Sequence, residues 1–173
     1  AESTGLFLSA NDVHNNLLRS TSSAMAAALG GAESIYLKPF DVKQAEQHRL
    51  SKRWSRNIQF ILKDEAFLNK VKDPGEGSWF IENAGDAISQ KAWSHFQKIE
   101  AAGGYANAMK SGLIDDLIAL DSKILEKQLM SGERSWIGVN KYLPDSMVKA
   151  NNCSDQGELS DLEDQLIAKF QTK

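Results

Sequence analysis

The sequence predicts a helix-rich α/β fold, with a small parallel-sheet portion near the start of the chain and helices after it. Two short apolar runs, at residues 6–8 and 34–37, are typical of strands. Between them, apolar residues recur at the three- and four-residue spacing of a helix. Strand, helix and strand in this order indicate a βα unit of a parallel sheet. Later segments are mainly helical in pattern, apart from one more short run at residues 136–139.

The first two helices carry start and stop signals. Asn11 or Asp12 is placed to cap the first helix, and Gly30 is placed to end it. Asp41 and Gln44 have the spacing of a capping box for a second helix, whose apolar positions are Ile58, Ile61 and Leu62. Each helix therefore follows one of the expected strands.

Two long helices are predicted in the middle of the chain. The first begins at Asn83 or Asp86 and ends before the glycine pair at residues 103–104. The second runs from about Ile114 to Gly132, again with apolar residues at helical spacing. Glycine is favoured just after the last residue of each helix because it adopts positive φ without steric cost.

The pattern of the last residues predicts a separate C-terminal helix that docks on another surface. Ser160 and Glu163 have the spacing of a capping box before a helix with one apolar face. The expected divisions are residues 1–144 for the α/β portion with its helical extension, 145–158 for a linker and 159–173 for the docking helix. We expect this helix to dock on its own domain, because so short a helix is marginal in water alone; a partner-binding helix is the alternative.

Composition excludes several classes of function. The chain has 173 residues, 42% of them hydrophobic, and a net charge of −3, and its basic residues are scattered, so no nucleic-acid partner is expected. No apolar run is long enough to span a membrane. The single cysteine, Cys153, lies in a polar run and is typical of a surface thiol in a cytoplasmic protein.

No self-contained catalytic or metal site is evident. His14, His48 and His95 lie far apart, without a second ligand one helical turn away, so no metal is expected. The paired carboxylates at residues 64–65 and 115–116 are adjacent, and neighbouring positions on a helix point in different directions. We therefore predict no catalytic residue from these patterns.

Five sequence blocks closely resemble the methylmalonyl-CoA mutase family. Residues 73–82 read DPGEGSWFIE, and the helix after them ends in IEAAGG at residues 99–104. The other three are NDVHNN at residues 11–16, followed by Arg19, RNIQ at residues 56–59 and IGVNKY at residues 137–142. The blocks keep the family's order from about Gly5 to Tyr142, which makes the resemblance specific.

This resemblance implies a fold and a reaction. The family uses adenosylcobalamin to interconvert methylmalonyl-CoA and succinyl-CoA, an isomerisation of propionate metabolism. Its substrate domain is a TIM barrel, with the acyl-CoA along the barrel axis and the cofactor at the C-terminal face of the strands. This chain would supply the last two βα units and the helical extension that follows. The family's catalytic His and substrate-binding Tyr and Arg lie on earlier segments, so the chain alone is expected to be inactive.

The resemblance also assigns site positions. Gly5 and Ala45 match cofactor-contacting positions, and we expect them to be vestigial. Glu33 and Ser34 match positions facing the substrate, although Glu33 replaces a Gln of the catalytic pattern. Val42 stands where catalytic chains carry the Glu that binds the adenosyl ribose, and a hydrocarbon cannot accept a hydroxyl hydrogen bond. We therefore expect no cofactor bound by this chain.

These departures favour one subunit type. Residues 38–41 read KPFD and residues 77–80 read GSWF, which resemble the small, non-catalytic subunit of heterodimeric bacterial mutases. The expected partner is then the catalytic large subunit, with acyl-CoA bound in the holoenzyme. Two alternatives remain: a fragment of a catalytic acyl-CoA mutase with an altered pocket, and a stand-alone protein-interaction module.

Overall fold

A computed structural model describes residues 1–44, 46, 49–143 and 158–171 of the chain. The chain divides into two compact units, Ala1–Pro74 with Leu129–Lys173, and Gly75–Gln128. A π-helical turn, Ile61–Glu65, continues the second helix. The helices are α1 (Asn15–Leu29), α2 (Arg49–Phe60), α3 (Trp79–Ala101), α4 (Tyr105–Lys110), α5 (Leu113–Ser131) and α6 (Glu158–Gln171).

The predicted strands at residues 6–8, 34–37 and 136–139 are wrong as strands, because the described part of the chain contains isolated bridges and no β-strand. Tyr36 bridges Glu2 in parallel: the Ser3 amide donates to the Tyr36 carbonyl at 2.9 Å, and the Tyr36 amide donates to the Ala1 carbonyl at 2.8 Å. An apolar run becomes a strand only when a neighbour supplies a ladder of such bonds. Residues 6–8 instead form a turn that buries Leu8.

The core of the first unit lies between α1 and α2. Ala24 of α1 and Ile58 of α2 are buried together with Leu37 and Leu62, and Leu17, Ile35 and Leu68 pack around them. Both predicted helices are therefore confirmed, and Ile58 and Leu62 are in the core as expected, whereas Ile61 is exposed. The predicted end of α1 is also confirmed: Gly30 is its C-cap, and the next glycine has φ of 72°.

The predicted helix starts in the first unit are wrong. The N-cap of α1 is His14, without a side-chain capping bond, and Asp12 instead accepts from the Asn15 side chain at 2.5 Å. Gln44 makes no capping box, since its side chain donates to the Ala10 carbonyl at 2.6 Å and α2 begins only at Arg49. Asp12 thus bonds to a local neighbour and Gln44 to a tertiary partner, and neither side chain serves the cap that local spacing had assigned to it.

The C-terminal helix belongs to the first unit. Leu162, Leu166 and Ile167 of α6 are buried, and Lys169 donates to the Met130 carbonyl at 2.7 Å. The predicted capping box is wrong, because α6 begins at Glu158 and the carboxylate of Glu163 is buried in a tertiary contact. The structure does not describe residues 144–157. These include Cys153 and all but the last residue of the predicted linker at residues 145–158.

The second unit is an open arrangement of helices. α3 begins at Trp79, several residues before the predicted start, because Ser78 takes the extended N-cap position and its carbonyl accepts from the Glu82 amide at 2.9 Å. α4 was not predicted; Gly103 and Gly104 both have positive φ and separate it from α3. No residue of α3 is buried.

Candidate functional site

Of the site positions taken from the family, the structure describes Gly5, Glu33 and Ser34. Glu33 and Ser34 are exposed, and the Ser34 carbonyl accepts from the Ala1 amine at 2.6 Å. Gly5 lies next to Lys38, where an added Cβ would stand 3.9 Å from the lysine Cδ, an ordinary contact distance. Ala45 lies outside the described residues. The geometry therefore leaves room for a side chain at position 5.

The most highly organised polar group in the first unit surrounds the start of α1. We call it the polar cluster: Ser9, Asn11, Asp12, Asn16, Arg19 and Glu163. Glu163, on α6, is 1% exposed and its carboxylate accepts from the Ser9 hydroxyl. The carboxylate also accepts from the Ala10 amide at 3.2 Å and from the Asn11 amide at 3.3 Å. A buried carboxylate is tolerated when donors compensate its lost hydration, and this one has several.

Asn16 joins three segments of the cluster. Its side-chain oxygen accepts from the Ser9 amide at 2.9 Å and from Arg19 Nη1 at 2.8 Å. Its side-chain nitrogen donates to the carbonyls of Ser9 and Phe40, both at 2.8 Å. Each polar atom of this buried amide thus has partners, so the amide fixes the segment before α1 against the one after residue 37.

Two half-buried cations flank the carboxylate. Burial lowers the pKa of Arg19, with Asp12 and Glu163 acting against that shift. Burial also lowers the pKa of Lys43, which Glu163 opposes and the positive charge of Arg19 reinforces. Arg19 Nη2 donates to the Ile137 carbonyl at 2.5 Å. The cluster therefore ties α1 to the segment at residues 137–142.

That segment is held by Asn140 and Trp136. The Asn140 side chain accepts from the Trp136 amide at 2.7 Å and donates to the Leu129 and Arg134 carbonyls at 3.0 and 2.9 Å. Trp136 is buried, donates to the Phe7 carbonyl at 3.1 Å and packs edge-on against the Phe7 ring. These contacts place the neighbouring backbone next to Asp12, close enough that only glycine fits at position 138.

A cavity of about 480 Å³ opens beside the polar cluster. Its size is within the range of small-molecule pockets. Arg19 is the charged group in its lining, and Phe7, Leu18 and Trp136 supply apolar walls. Ser22 and Ser23 add hydroxyl groups on the α1 side. The lining contains no paired acid and base.

The described residues hold no recognisable catalytic or metal-binding constellation. No group of three or more potential metal ligands was found among them. His14 and His95 are exposed, and His48 lies outside the described part of the chain. The Ser9 hydroxyl does contact a carboxylate, but both residues are buried and neither faces the cavity lining. The polar cluster is therefore suited to holding segments together.

Sequence reasoning missed most of this cluster. Asn16, Arg19 and Asn140 lie in the blocks that carried the family resemblance, yet only the structure shows their bonding roles. Glu163 was assigned to a helix cap by local spacing, and its contact with Ser9 joins residues 154 positions apart.

In the described part of the chain, no helix has both the length and the apolar character needed to cross a membrane.

Comparison with known proteins agrees with the sequence blocks. The family model described as methylmalonyl-CoA mutase matches residues 1–172. Methylmalonyl-CoA mutase of Rhizobium meliloti is 35% identical over 141 residues, covering 82% of this chain and 20% of the relative. The small subunit of Porphyromonas gingivalis is 34% identical over 131 residues, covering 76% of this chain and 21% of the relative.

The large subunit of Propionibacterium freudenreichii subsp. shermanii is 34% identical over 142 residues, covering 82% of this chain and 20% of the relative. The chain thus spans about a fifth of the length of these relatives, and it matches large and small subunits about equally well. The family match extends over nearly every residue and confirms the resemblance found in the sequence blocks. The chain belongs to the methylmalonyl-CoA mutase family.

Proposed function

We propose that this chain is the C-terminal part of the barrel domain of a small, non-catalytic mutase subunit, which stabilises the catalytic large subunit in the cytoplasm. The observation that carries the proposal is the sequence at three places. Residues 38–41 read KPFD and residues 77–80 read GSWF, as in small subunits, and Glu33 stands in place of the Gln of the catalytic pattern.

The adenosylcobalamin positions support the same proposal. Val42 replaces the carboxylate expected to accept from the adenosyl ribose, and its side chain offers only hydrocarbon. Gly5 lies against the Lys38 side chain instead of an open apolar surface. These residues do not fit the cofactor, so no step of the radical isomerisation is assigned to this chain.

The parallel bridge between Glu2 and Tyr36 supports membership of a parallel sheet, as a TIM barrel requires. The polar cluster supports a scaffolding role, because its buried groups bond to each other and to the backbone. The relatives' names include both large and small subunits, which supports a partnership between two mutase chains. On this proposal the acyl-CoA and the cofactor bind to the partner.

A catalytic subunit with an altered pocket is the second candidate. It is favoured by the presence of Gly5 and Ser34, which match the catalytic pattern. Under this alternative, Glu33 and Tyr36 would recognise a different acyl group. The two candidates make opposite predictions about turnover by the protein without a partner.

Reconstitution tests the proposal. The protein carrying this chain is expected to co-purify with a catalytic mutase chain and to raise its melting temperature, because a ligand of the folded state stabilises that state. Alone, with adenosylcobalamin and methylmalonyl-CoA supplied, it is expected to give no succinyl-CoA. Turnover by the protein alone would contradict the proposal and favour the altered-pocket candidate.

A further inference from the structure

Four hydrogen-bond donors converge in the turn before α1. We call them the carboxylate site: the Ser9 hydroxyl, the Ala10 amide, and the amide and side-chain nitrogen of Asn11. All of them donate to the carboxylate of Glu163, at 3.2 Å from Ala10 and 3.3 Å from each nitrogen of Asn11. Ser9 and Glu163 are each 1% exposed, so bulk water satisfies neither group. The site therefore depends on a carboxylate brought by α6.

Contacts that do not involve α6 hold these donors in place. The backbone of Ser9 bonds to the Asn16 side chain through both its amide, at 2.9 Å, and its carbonyl, at 2.8 Å. The Gln44 side chain fixes the Ala10 carbonyl at 2.6 Å. The Ser9 hydroxyl oxygen accepts from the Asp12 amide at 2.8 Å, which leaves its hydrogen free to donate to the carboxylate. The site is thus preorganised, and preorganised donors lower the free-energy cost of binding.

The charges around the site favour an anion. Arg19 and Lys43 are half-buried cations, and the Glu163 charge opposes the lowering of both pKa values. Asp12 reduces the positive field, since it too acts on Arg19. Both oxygens of the Glu163 carboxylate accept hydrogen bonds, one from Ala10 and the other from Ser9 and Asn11. Recognition through two oxygens suits a planar carboxylate.

We propose that the carboxylate site binds small monocarboxylate ions, and that α6 fills it with Glu163 as a ligand supplied by the chain itself. Replacement of Glu163 by alanine removes a CH2–COO group, which is the size of acetate. Leu162, Leu166 and Ile167 are also buried, so α6 can still dock after this substitution, although it opens more often. A cavity of acetate size, lined by the four donors, would then face the docked helix. The proposal does not depend on the small-subunit role.

Hydrogen exchange read by mass spectrometry tests the site in the protein carrying this chain. Glu163→Ala is compared in sodium acetate and in sodium chloride at the same concentration and pH. We expect a dissociation constant for acetate on the order of 5 mM, which is within the limit for so small a ligand. At about 50 mM, acetate should then slow exchange in α6 and at residues 9–11 about tenfold, because it binds only the closed state. Equal exchange in the two salts would overturn the proposal.

Leu162→Ala is the matched control, because Leu162 is buried on the same helix but its loss frees no hydrogen-bond donor. This variant should also exchange faster than the parent, yet equally fast in acetate and chloride. Glu163→Gln keeps the space filled, so acetate should leave its exchange unchanged. The parent should not respond either, since the carboxylate on the docked helix has a high effective concentration. Slowing of Leu162→Ala by acetate to the same extent as Glu163→Ala would show a general salt effect and refute the proposal.

Removal of a donor tests which groups bind the ion. Ser9→Ala added to Glu163→Ala should weaken acetate binding about tenfold, since a hydrogen bond to a charged group is lost. The slowing by about 50 mM acetate should then fall from about tenfold to about twofold. If Glu163→Ala does not fold in chloride, its refolding from urea is compared in the two salts. A higher refolded yield in acetate supports the site, whereas equal yields, including none in either salt, contradict it.

Discussion

Replacement of Glu163 by alanine is expected to destabilise the first unit and release α6. The carboxylate is 1% exposed and accepts from the Ser9 hydroxyl and from the Ala10 and Asn11 amides, at 3.2 and 3.3 Å for the two amides. Alanine would leave these donors facing a cavity. A buried unsatisfied donor costs about 1–3 kcal/mol, and removing a buried charge returns part of that cost. We expect a net loss of about 2–4 kcal/mol.

The assay is hydrogen exchange read by mass spectrometry, combined with urea unfolding followed by tryptophan fluorescence. Glu163→Ala should speed exchange in α6 and in the peptide containing residues 9–11, while α3 keeps its exchange rate. Asp164→Ala is the matched control, since Asp164 is exposed and accepts only a 3.3 Å bond from the Asn11 side chain. Exposed substitutions of this kind change stability by about 0.5 kcal/mol or less. Equal effects of the two variants would refute the bonding role assigned to Glu163.

Two further pairs of substitutions test the close approach at Gly138 and the burial of Trp136. Gly138 has φ of 78°, and an added Cβ would lie 3.2 Å from the Asp12 Cβ. Gly138→Ala should therefore lower the free energy of unfolding, measured in urea, by about 2–3 kcal/mol. Gly31→Ala should lower it by about 1 kcal/mol, because Gly31 has φ of 72° but no atom within 4 Å of an added Cβ. Trp136 is 2% exposed and Trp93 is 60% exposed, so Trp136→Ala should cost about 3–5 kcal/mol and Trp93→Ala much less. Similar losses within either pair would contradict the contacts described here.

The helices could be predicted because their signal is local. α3 and α5 carry apolar residues at helical spacing over many turns, and glycines with positive φ stand between and after them. α4 has six residues, too few for its periodicity to be recognised. The strands failed for the opposite reason. A short apolar run such as residues 34–37 specifies half of a pairing, and the other half must come from elsewhere in the chain.

The polar cluster could not be predicted because its bonds to Glu163, Phe40 and Ile137 are long-range. Glu163 and Gln44 had the spacing of capping boxes, yet their side chains bond to Ser9 and to the Ala10 carbonyl. Nothing near Glu163 in the sequence indicates that its partner is Ser9. The family positions Gly5 and Glu33 were found by resemblance alone, and their roles stay predictions.

Turnover of an assembled mutase tests the central claim most directly. In the complex between the protein carrying this chain and a catalytic subunit, Tyr36→Phe and Ser34→Ala are expected to leave kcat within about twofold, because neither side chain would touch substrate or cofactor. The same complex with Leu62→Ala, a core substitution in the first unit, should lower the melting temperature and thus controls for stability. A large loss of kcat in Tyr36→Phe, with subunit association and melting temperature unchanged, would mean that this surface is an active site and that the chain is catalytic.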